Sequence, residues 1–127
     1  MEILNPLGFI REEVRIVGTR KAKTFLALFD TGAYRNYIKR ELSDGDSVNS
    51  IGLKIYEGEH YTVLADLSQI RGERIRFDEM VIRNSCEKDP MFIVMDDLYE
   101  DVIIGALSMQ KLCIGLDPKT EKIIMCR

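Results

Sequence analysis

Residues 24–33 constrain the chain more than any other stretch, because an apolar run ends there abruptly in an acid, a hydroxyl and a glycine. The run from Phe25 to Phe29 is too short to cross a membrane, and its aromatic and branched side chains favour a strand buried on both faces. Burying Asp30 at the end of such a strand is costly unless the carboxylate is paired. Gly32 permits a tight turn and the close approach of another segment. We therefore look for a functional site here.

Residues 27–38, which include the sequence Asp30-Thr31-Gly32-Ala33, resemble the active-site loop of the retroviral-type (retropepsin-like) aspartic proteases. The second signature of that family is a pair of aliphatic residues followed by glycine and a short helix, and residues 102–109 have this form. The resemblance covers residues 9–127. It implies an all-β fold, namely a retropepsin-like acid-protease barrel of short antiparallel strands with one short C-terminal helix.

The resemblance implies a homodimeric enzyme. Aspartic protease chemistry needs two carboxylates that share a proton, one ionised to activate water and one protonated to polarise the scissile carbonyl. The second signature carries Ile103 where the first carries Asp30, so one chain offers one catalytic carboxylate. A two-fold axis beside residue 30 would supply the other. We expect an aspartic endopeptidase, a hydrolase that cleaves an extended peptide or protein substrate.

Further residues receive roles from the same resemblance. Thr31, Gly32 and Ala33 would support the active site, with Thr31 bonding across the dimer interface and the Gly32 backbone contacting substrate. Residues 61–74 are the predicted flap, a β-hairpin that closes over the peptide, although an ordinary edge hairpin is the alternative. The predicted substrate-binding residues are Ala65, Asp66, Leu67, Ser68, Ile104 and Gly105.

Two positions depart from the viral pattern. Viral members usually pair an acidic residue after the alanine with an arginine after the second glycine, and here these positions are Tyr34 and Ala106. Losing both together leaves no unpaired charge, which indicates a different dimer interface. Residues 122–127 are expected to contribute to it.

Two other interpretations stay open: an inactive retropepsin-like domain that serves peptide binding or dimerisation, and a chance match in an unrelated β-domain.

Composition narrows the remaining function classes. At 127 residues the chain is predicted to form one domain, residues 1–127, and its 46% apolar and 31% charged content is typical of soluble globular proteins. A net charge of −3 with scattered Lys and Arg gives no reason to invoke nucleic acid. No apolar run suits a membrane span or signal peptide, so we expect no membrane partner and a cytoplasmic location.

We expect neither a cofactor nor a metal. His60 is the only histidine and is predicted to be a loop or surface residue, because neither a metal site nor a nucleophile–base pair has its partners in the sequence. Residues 96–101 are acidic but lack the glycine and ligand spacing of a calcium loop, which favours a solvated turn. Cys86, Cys113 and Cys126 are an odd number without metal-ligand spacing, so reduced thiols are expected.

Short apolar runs separated by polar turns predict the following elements. Strands are expected at residues 9–17, 24–29, 53–57, 61–65, 74–83, 91–95 and 121–126. Turns or loops are expected at residues 18–21, 43–47, 84–90 and 117–120, and near Gly58 and Gly72. Residues 37–42 form a strand or a short helix, and the spacing at residues 106–113 predicts a helix.

Overall fold

The structure, a computed structural model, describes residues 9–63 and 65–126. Its elements in chain order are β1 (Ile10–Val17), β2 (Ala22–Phe29), β3 (Asn36–Lys39), α1 (Val48–Ile51), β4 (Ile55–Val63), β5 (Gln69–Arg76), β6 (Glu79–Ile82), β7 (Ser85–Lys88), β8 (Met91–Met95), β9 (Val102–Ile104), α2 (Ala106–Lys111), β10 (Ile114–Asp117) and β11 (Lys122–Met125). The prediction of an all-β fold with a short C-terminal helix is confirmed.

Most strands belong to one curled sheet of nine strands, in the order β4-β5-β8-β3-β9-β2-β1-β6-β7, and β10 pairs with β11 separately. Neighbours in the large sheet are antiparallel, except that β2 runs parallel to β9 and β3 runs parallel to β8. Strand β9 therefore lies between β2 and β3. This topology brings the second signature against the strands that flank the loop at residues 30–35.

The two faces of this sheet differ. Side chains such as Phe29, Ile38 and Ile104 form the main core with residues from the surrounding strands. On the other side of the same strands, Leu28 lies opposite Ile103, Ile103 opposite Tyr37, Tyr37 opposite Ile93, and Ile93 opposite Arg74. We call this line, Leu28-Ile103-Tyr37-Ile93-Arg74, the second face. Its aliphatic members are buried but lie outside the main core cluster.

Two glycines expected to break strands lie inside them. Instead of two strands at residues 53–57 and 61–65, β4 is continuous, and the register shifts between Tyr56 and Gly58. Gly58 has φ of 102°, a left-handed value that suits glycine at a β-bulge. Gly72 lies within β5, where an added Cβ would come within 2.7 Å of the Ile93 side chain. It therefore permits close packing rather than a turn.

Other boundaries also differ from the prediction. Residues 74–83 contain the end of β5 and all of β6, and the polar run 84–90 contains β7 rather than only a turn. Neither α1 nor β10 was predicted, and the strand β3 overlaps the predicted element at residues 37–42 but begins one residue earlier. Strand β2 is not buried on both faces along its length, because Leu26 is 63% exposed. Strands β1, β8 and β11 and helix α2 agree with the prediction to within a few residues.

The expectation of reduced thiols is wrong for two cysteines. Cys113 and Cys126 form a disulfide, with their Cα atoms 5.5 Å apart. The antiparallel pairing of β10 with β11 begins at Ile114 and Met125, so the two flanking cysteines are brought opposite each other. Cys86 is free and exposed. In the described part of the chain, neither helix has the length and apolar character needed to cross a lipid bilayer.

Candidate active site

Asp30 stands where β2 ends beside β9. Its backbone N–H donates to the carbonyl oxygen of Ile104 at 3.0 Å, which extends the parallel pairing of Leu28 with Ile103 and of Phe29 with Ile104. The carboxylate is half-buried in the single chain. Its desolvation therefore costs less than it would at the fully buried position expected from the sequence. Because Asp30 follows Leu28 by two residues in extended backbone, its side chain projects toward the second face.

The loop after Asp30 holds the carboxylate in place. The Gly32 N–H donates to Asp30 Oδ1 at 2.8 Å, and the Ala33 N–H donates to the Asp30 carbonyl oxygen at 3.1 Å. A Cβ added to Gly32 would meet only the Asp30 side chain, at 3.1 Å from Oδ1, and Gly32 does not have a left-handed φ. The turn itself therefore does not require glycine here. Thr31 and Gly32 are exposed in the single chain.

The second signature packs on this loop through backbone contacts. The Ala106 N–H donates to the Ala33 carbonyl oxygen at 2.7 Å, and the Leu107 N–H donates to the Tyr34 carbonyl oxygen at 3.0 Å. A Cβ added to Gly105 would lie 2.3 Å from the carbonyl oxygen of Arg35, so no larger residue fits without a backbone shift. The two signatures predicted from the sequence are thus in direct contact.

Ile104 has a different environment from the one expected for a substrate-binding residue. Its side chain has 0% exposure and belongs to the main core, where it lies opposite Phe29. That position excludes a side-chain contact with a bound peptide in this arrangement. Its neighbour Ile103, which was predicted only as the counterpart of Asp30 in the second signature, belongs to the second face beside Leu28.

A buried polar network supports the contact between the signatures. The side-chain oxygen of Asn36, which is 3% exposed, accepts from the Gly105 N–H at 2.9 Å, and its amide donates to Ser108 Oγ at 2.8 Å. Ser108 Oγ in turn donates to Glu87 Oε1 at 2.7 Å, and Lys111 Nζ lies 3.5 Å from Glu87 Oε2. This network was not predicted, because Asn36 precedes the strand or helix expected at residues 37–42 and its place in β3 is known only from the structure.

A hairpin occupies the segment predicted to be the flap. Strands β4 and β5 pair from Ile55 with Arg76 as far as Val63 with Gln69, which leaves Ala65, Asp66, Leu67 and Ser68 at the exposed tip. Asp66 Oδ1 accepts from the Ser68 N–H at 2.9 Å and from Ser68 Oγ at 2.6 Å, and these bonds lower the pKa of Asp66. Leu67 is 82% exposed. The role of the hairpin as a flap stays a prediction.

Two further aromatic side chains stand near the candidate site. Partial burial and the negative charge of Asp30 raise the pKa of Tyr99. The sequence analysis did not single out Tyr99, because it lies in the acidic run 96–101. Tyr34 is 60% exposed, and the Arg35 guanidinium stacks 5.5 Å from its ring centre. The position that is acidic in viral members is therefore an exposed aromatic here.

Comparison with known proteins gives a structural match. No protein-family model matches the chain, and no curated protein matches it. Among solved structures, it is similar to a retropepsin-like aspartic protease from Rickettsia conorii, with a TM-score of 0.55 over 89% of this chain and 79% of that chain. The fold is retropepsin-like. At 19% sequence identity the similarity extends to the fold and no further.

Proposed function

We propose that this chain is an aspartic endopeptidase that is active as a homodimer, with one catalytic Asp30 from each protomer. The observation that carries the proposal is the position of Asp30 in a retropepsin-like fold. Its carboxylate is half-buried at the end of β2, accepts a hydrogen bond from the Gly32 N–H at 2.8 Å, and is followed by the exposed Thr31 and Gly32. A two-fold axis beside this loop would bring two such carboxylates together.

The proposed dyad would hydrolyse a peptide bond without a metal or cofactor. The ionised carboxylate takes a proton from water as the water oxygen attacks the scissile carbonyl carbon, and the protonated carboxyl donates a hydrogen bond to the carbonyl oxygen. Breakdown of the tetrahedral intermediate breaks the C–N bond, and a carboxyl group supplies the proton to the leaving amine. Two like charges this close cannot both ionise cheaply, so the pair shares a proton at working pH.

Surface features support the proposed dimer. Thr31, Gly32 and Tyr34 are exposed side by side next to Asp30, although the rest of the loop is tied to α2. At the C-terminus, Ile124 of β11 is 50% exposed. We propose that both regions are covered by the second protomer. Residue 127, part of the predicted terminal contribution, lies outside the described residues.

The peptide would run from Asp30 to beneath the β4–β5 hairpin, past the polar ends of the second face rather than on its buried aliphatic members. The hairpin is an edge unit of the sheet and reaches its exposed tip at residues 65–68. Both signatures and the hairpin belong to one sheet, which supports the proposal of a single domain. A cytoplasmic location stays a prediction, and the Cys113–Cys126 disulfide would be unusual in that compartment.

The decisive test is cleavage of an unfolded protein by wild type and Asp30→Asn at about pH 4 to 7, the range of carboxylate-dyad titration. Asp97→Asn is the matched control, because Asp97 is exposed and makes no hydrogen bond or ion pair among residues 9–63 and 65–126. We expect wild type and Asp97→Asn to cleave and Asp30→Asn to be inactive. Cleavage by all three proteins would contradict the assignment of Asp30.

Light scattering tests the dimer separately. We expect Asp30→Asn to dimerise at least as well as wild type, because the substitution removes charge repulsion and keeps the shape of the side chain. A wild-type monomer that retains full activity upon dilution would refute the shared dyad. Folded dimers of both proteins that bind peptides without cleaving them would favour the alternative, an inactive retropepsin-like binding domain.

A further inference from the structure

Two basic side chains of the β4–β5 hairpin share the face that Asp30 occupies. The register of β4 with β5 puts His60 and Arg74 on the same side of the hairpin, on neighbouring strands. Arg74 lies opposite Ile93 of β8 and so belongs to the second face, at the other end of the line from Leu28. The sequence analysis predicted a loop or surface position for His60, but the residue is half-buried within β4.

Arg74 has no carboxylate partner within residues 9–63 and 65–126. Its Nε is buried without a hydrogen-bond partner, and its Nη2 reaches only the backbone carbonyl oxygen of Glu57, at 3.4 Å. The nearby carboxylates are engaged elsewhere, since Glu57 pairs with Arg76 at 2.8 Å and Glu73 pairs with Arg40 at 2.7 Å. Keeping a guanidinium partly buried without an anion is unfavourable. An anionic ligand would remove that cost.

Arg35 brings a second guanidinium to the same place. It follows the active-site loop directly, and in the described part of the chain it forms no ion pair, only the stacking contact with Tyr34. The pKa of His60 is lowered by partial burial and by the positive charges of Arg35 and Arg74. Arg35 also immediately precedes β3, whose Tyr37 lies opposite Ile93, and Ile93 lies opposite Arg74, so the sheet brings residues 35, 60 and 74 together although they are well separated in the sequence.

We infer that Arg35, His60 and Arg74 form a subsite for an acidic side chain of the peptide substrate, an inference that rests on the proposed function. We call these three residues the basic subsite. A carboxylate matches the planar donor forks of the two arginines, which bind such groups in a bidentate manner. The imidazole of His60 can add at least one donor in either protonation state. Both charge and hydrogen bonding would then select Asp or Glu over their amides.

The sheet geometry limits how far from the scissile bond the peptide residue bound by the basic subsite can lie. Four strand-to-strand steps separate β2 from β5, which corresponds to about 19 Å along a flat sheet. The curl of the sheet and the reach of the arginine side chains shorten this span. At about 3.3 Å per residue of extended peptide, about 19 Å corresponds to about six residues, so the acidic residue would lie within about six positions of the scissile bond. A symmetric dimer would present one such subsite on each side.

Peptide cleavage tests the charge preference. In a substrate peptide with Asp or Glu at successive positions, each acid is replaced in turn by its amide. For wild type, the amide substitution should lower kcat/KM about tenfold at one position on each side of the scissile bond. This is the effect expected from losing a charge-assisted hydrogen bond. Arg35→Gln and Arg74→Gln should remove this preference. Arg71→Gln is the matched control, because Arg71 lies on the opposite side of β5 and pairs with Glu59 at 2.5 Å.

Charge reversal distinguishes recognition from a purely structural role. Arg35→Glu should shift the preference at the same position from Asp to Lys, which a loss of stability alone would not do. The thermal unfolding of each variant is measured to show that it is folded. If Arg74→Gln does not fold, the Arg35 variants alone test the basic subsite. A wild-type preference that is absent, or that is unchanged in both Arg35→Gln and Arg35→Glu, would overturn the inference.

Binding to the Asp30→Asn protein separates this inference from the proposed function. Fluorescence anisotropy compares a labelled acidic peptide with its amide counterpart, both with and without the additional Arg35→Gln substitution. Charge-dependent binding that Arg35→Gln abolishes would support the basic subsite even if the wild type cleaves nothing. Equal binding of both peptides, together with normal cleavage by the wild type, would refute the basic subsite and leave the protease proposal intact.

Discussion

Replacing Gly105 with alanine tests the contact between the active-site loop and the second signature. The new Cβ would lie 2.3 Å from the Arg35 carbonyl oxygen, 2.7 Å from the Arg35 carbonyl carbon and 2.8 Å from the Ala33 carbonyl oxygen. Ordinary contacts at a Cβ begin near 3.4 Å, and all three neighbours are backbone atoms that no rotamer change can move. The loop or the start of α2 must therefore shift.

The size of the effect follows from these contacts. Overpacking a close-packed site costs about 1–3 kcal/mol, and three backbone clashes place Gly105→Ala at the upper end. A shift also weakens the hydrogen bonds from the Gly105 N–H to Asn36 and from the Ala106 N–H to Ala33, each worth about 1 kcal/mol. We expect the free energy of unfolding to fall by about 3–5 kcal/mol and Tm by about 10 °C or more.

Thermal and urea unfolding measure this difference, with Gly115→Ala as the control. An added Cβ at Gly115 would have its nearest neighbour 4.0 Å away, and Gly115 does not have a left-handed φ. The control should therefore stay within about 0.5 kcal/mol of wild type. A Gly105→Ala protein as stable as Gly115→Ala would refute the close packing of the two signatures. If Gly105→Ala folds, the proposed peptidase activity should fall sharply, because the displaced segment follows Asp30 directly.

Two further substitutions probe the supports of the site. Asn36→Ala leaves the buried Gly105 N–H without its acceptor and removes the amide that donates to Ser108 Oγ, so we expect a loss of about 2–4 kcal/mol in urea unfolding, and a loss below about 0.5 kcal/mol would contradict the network. Cys126→Ser removes the disulfide to Cys113, whose sequence separation of 13 corresponds to about 3 kcal/mol in the loop-entropy description. Dithiothreitol should destabilise wild type by a similar amount and leave Cys126→Ser unchanged; equal sensitivity of the two proteins would contradict the disulfide.

The sequence was most informative where the determinants are local. The strand that leads to Asp30, the turn after it and the aliphatic-glycine-helix pattern around Gly105 are each encoded within a few neighbouring residues, and all three are present in the structure. Strand boundaries in the middle of the chain were harder. Whether Gly58 ends a strand or makes a bulge depends on its pairing with β5, which local residue preferences do not reveal.

The choice between Ile103 and Ile104 shows the same limit within the site. Strand β9 reads Val-Ile-Ile and is buried at every position, so its sequence has no alternation that tells one face from the other. A shift of one residue exchanges the core face and the second face. Only the parallel register with β2, which sets Ile104 against Phe29 in the core, decides the question. The polar network around Asn36 and the basic subsite depend on such long-range pairing as well.

The proposed enzyme would need both catalysis and substrate selection, and different residues along the second face would supply them. The carboxylate of Asp30, at one end, would carry the chemistry and depends on a second protomer for its partner. In the proposed basic subsite, His60 and Arg74 belong to the hairpin at the other end, whereas Arg35 follows the loop that carries Asp30. Substitutions at Asp30 should therefore change the cleavage rate of every peptide alike, whereas substitutions at Arg35 should change the order in which peptides are preferred. A variant of Arg35 that slows all peptides equally would show that the two ends are coupled, for instance through the loop that joins Asp30 to Arg35.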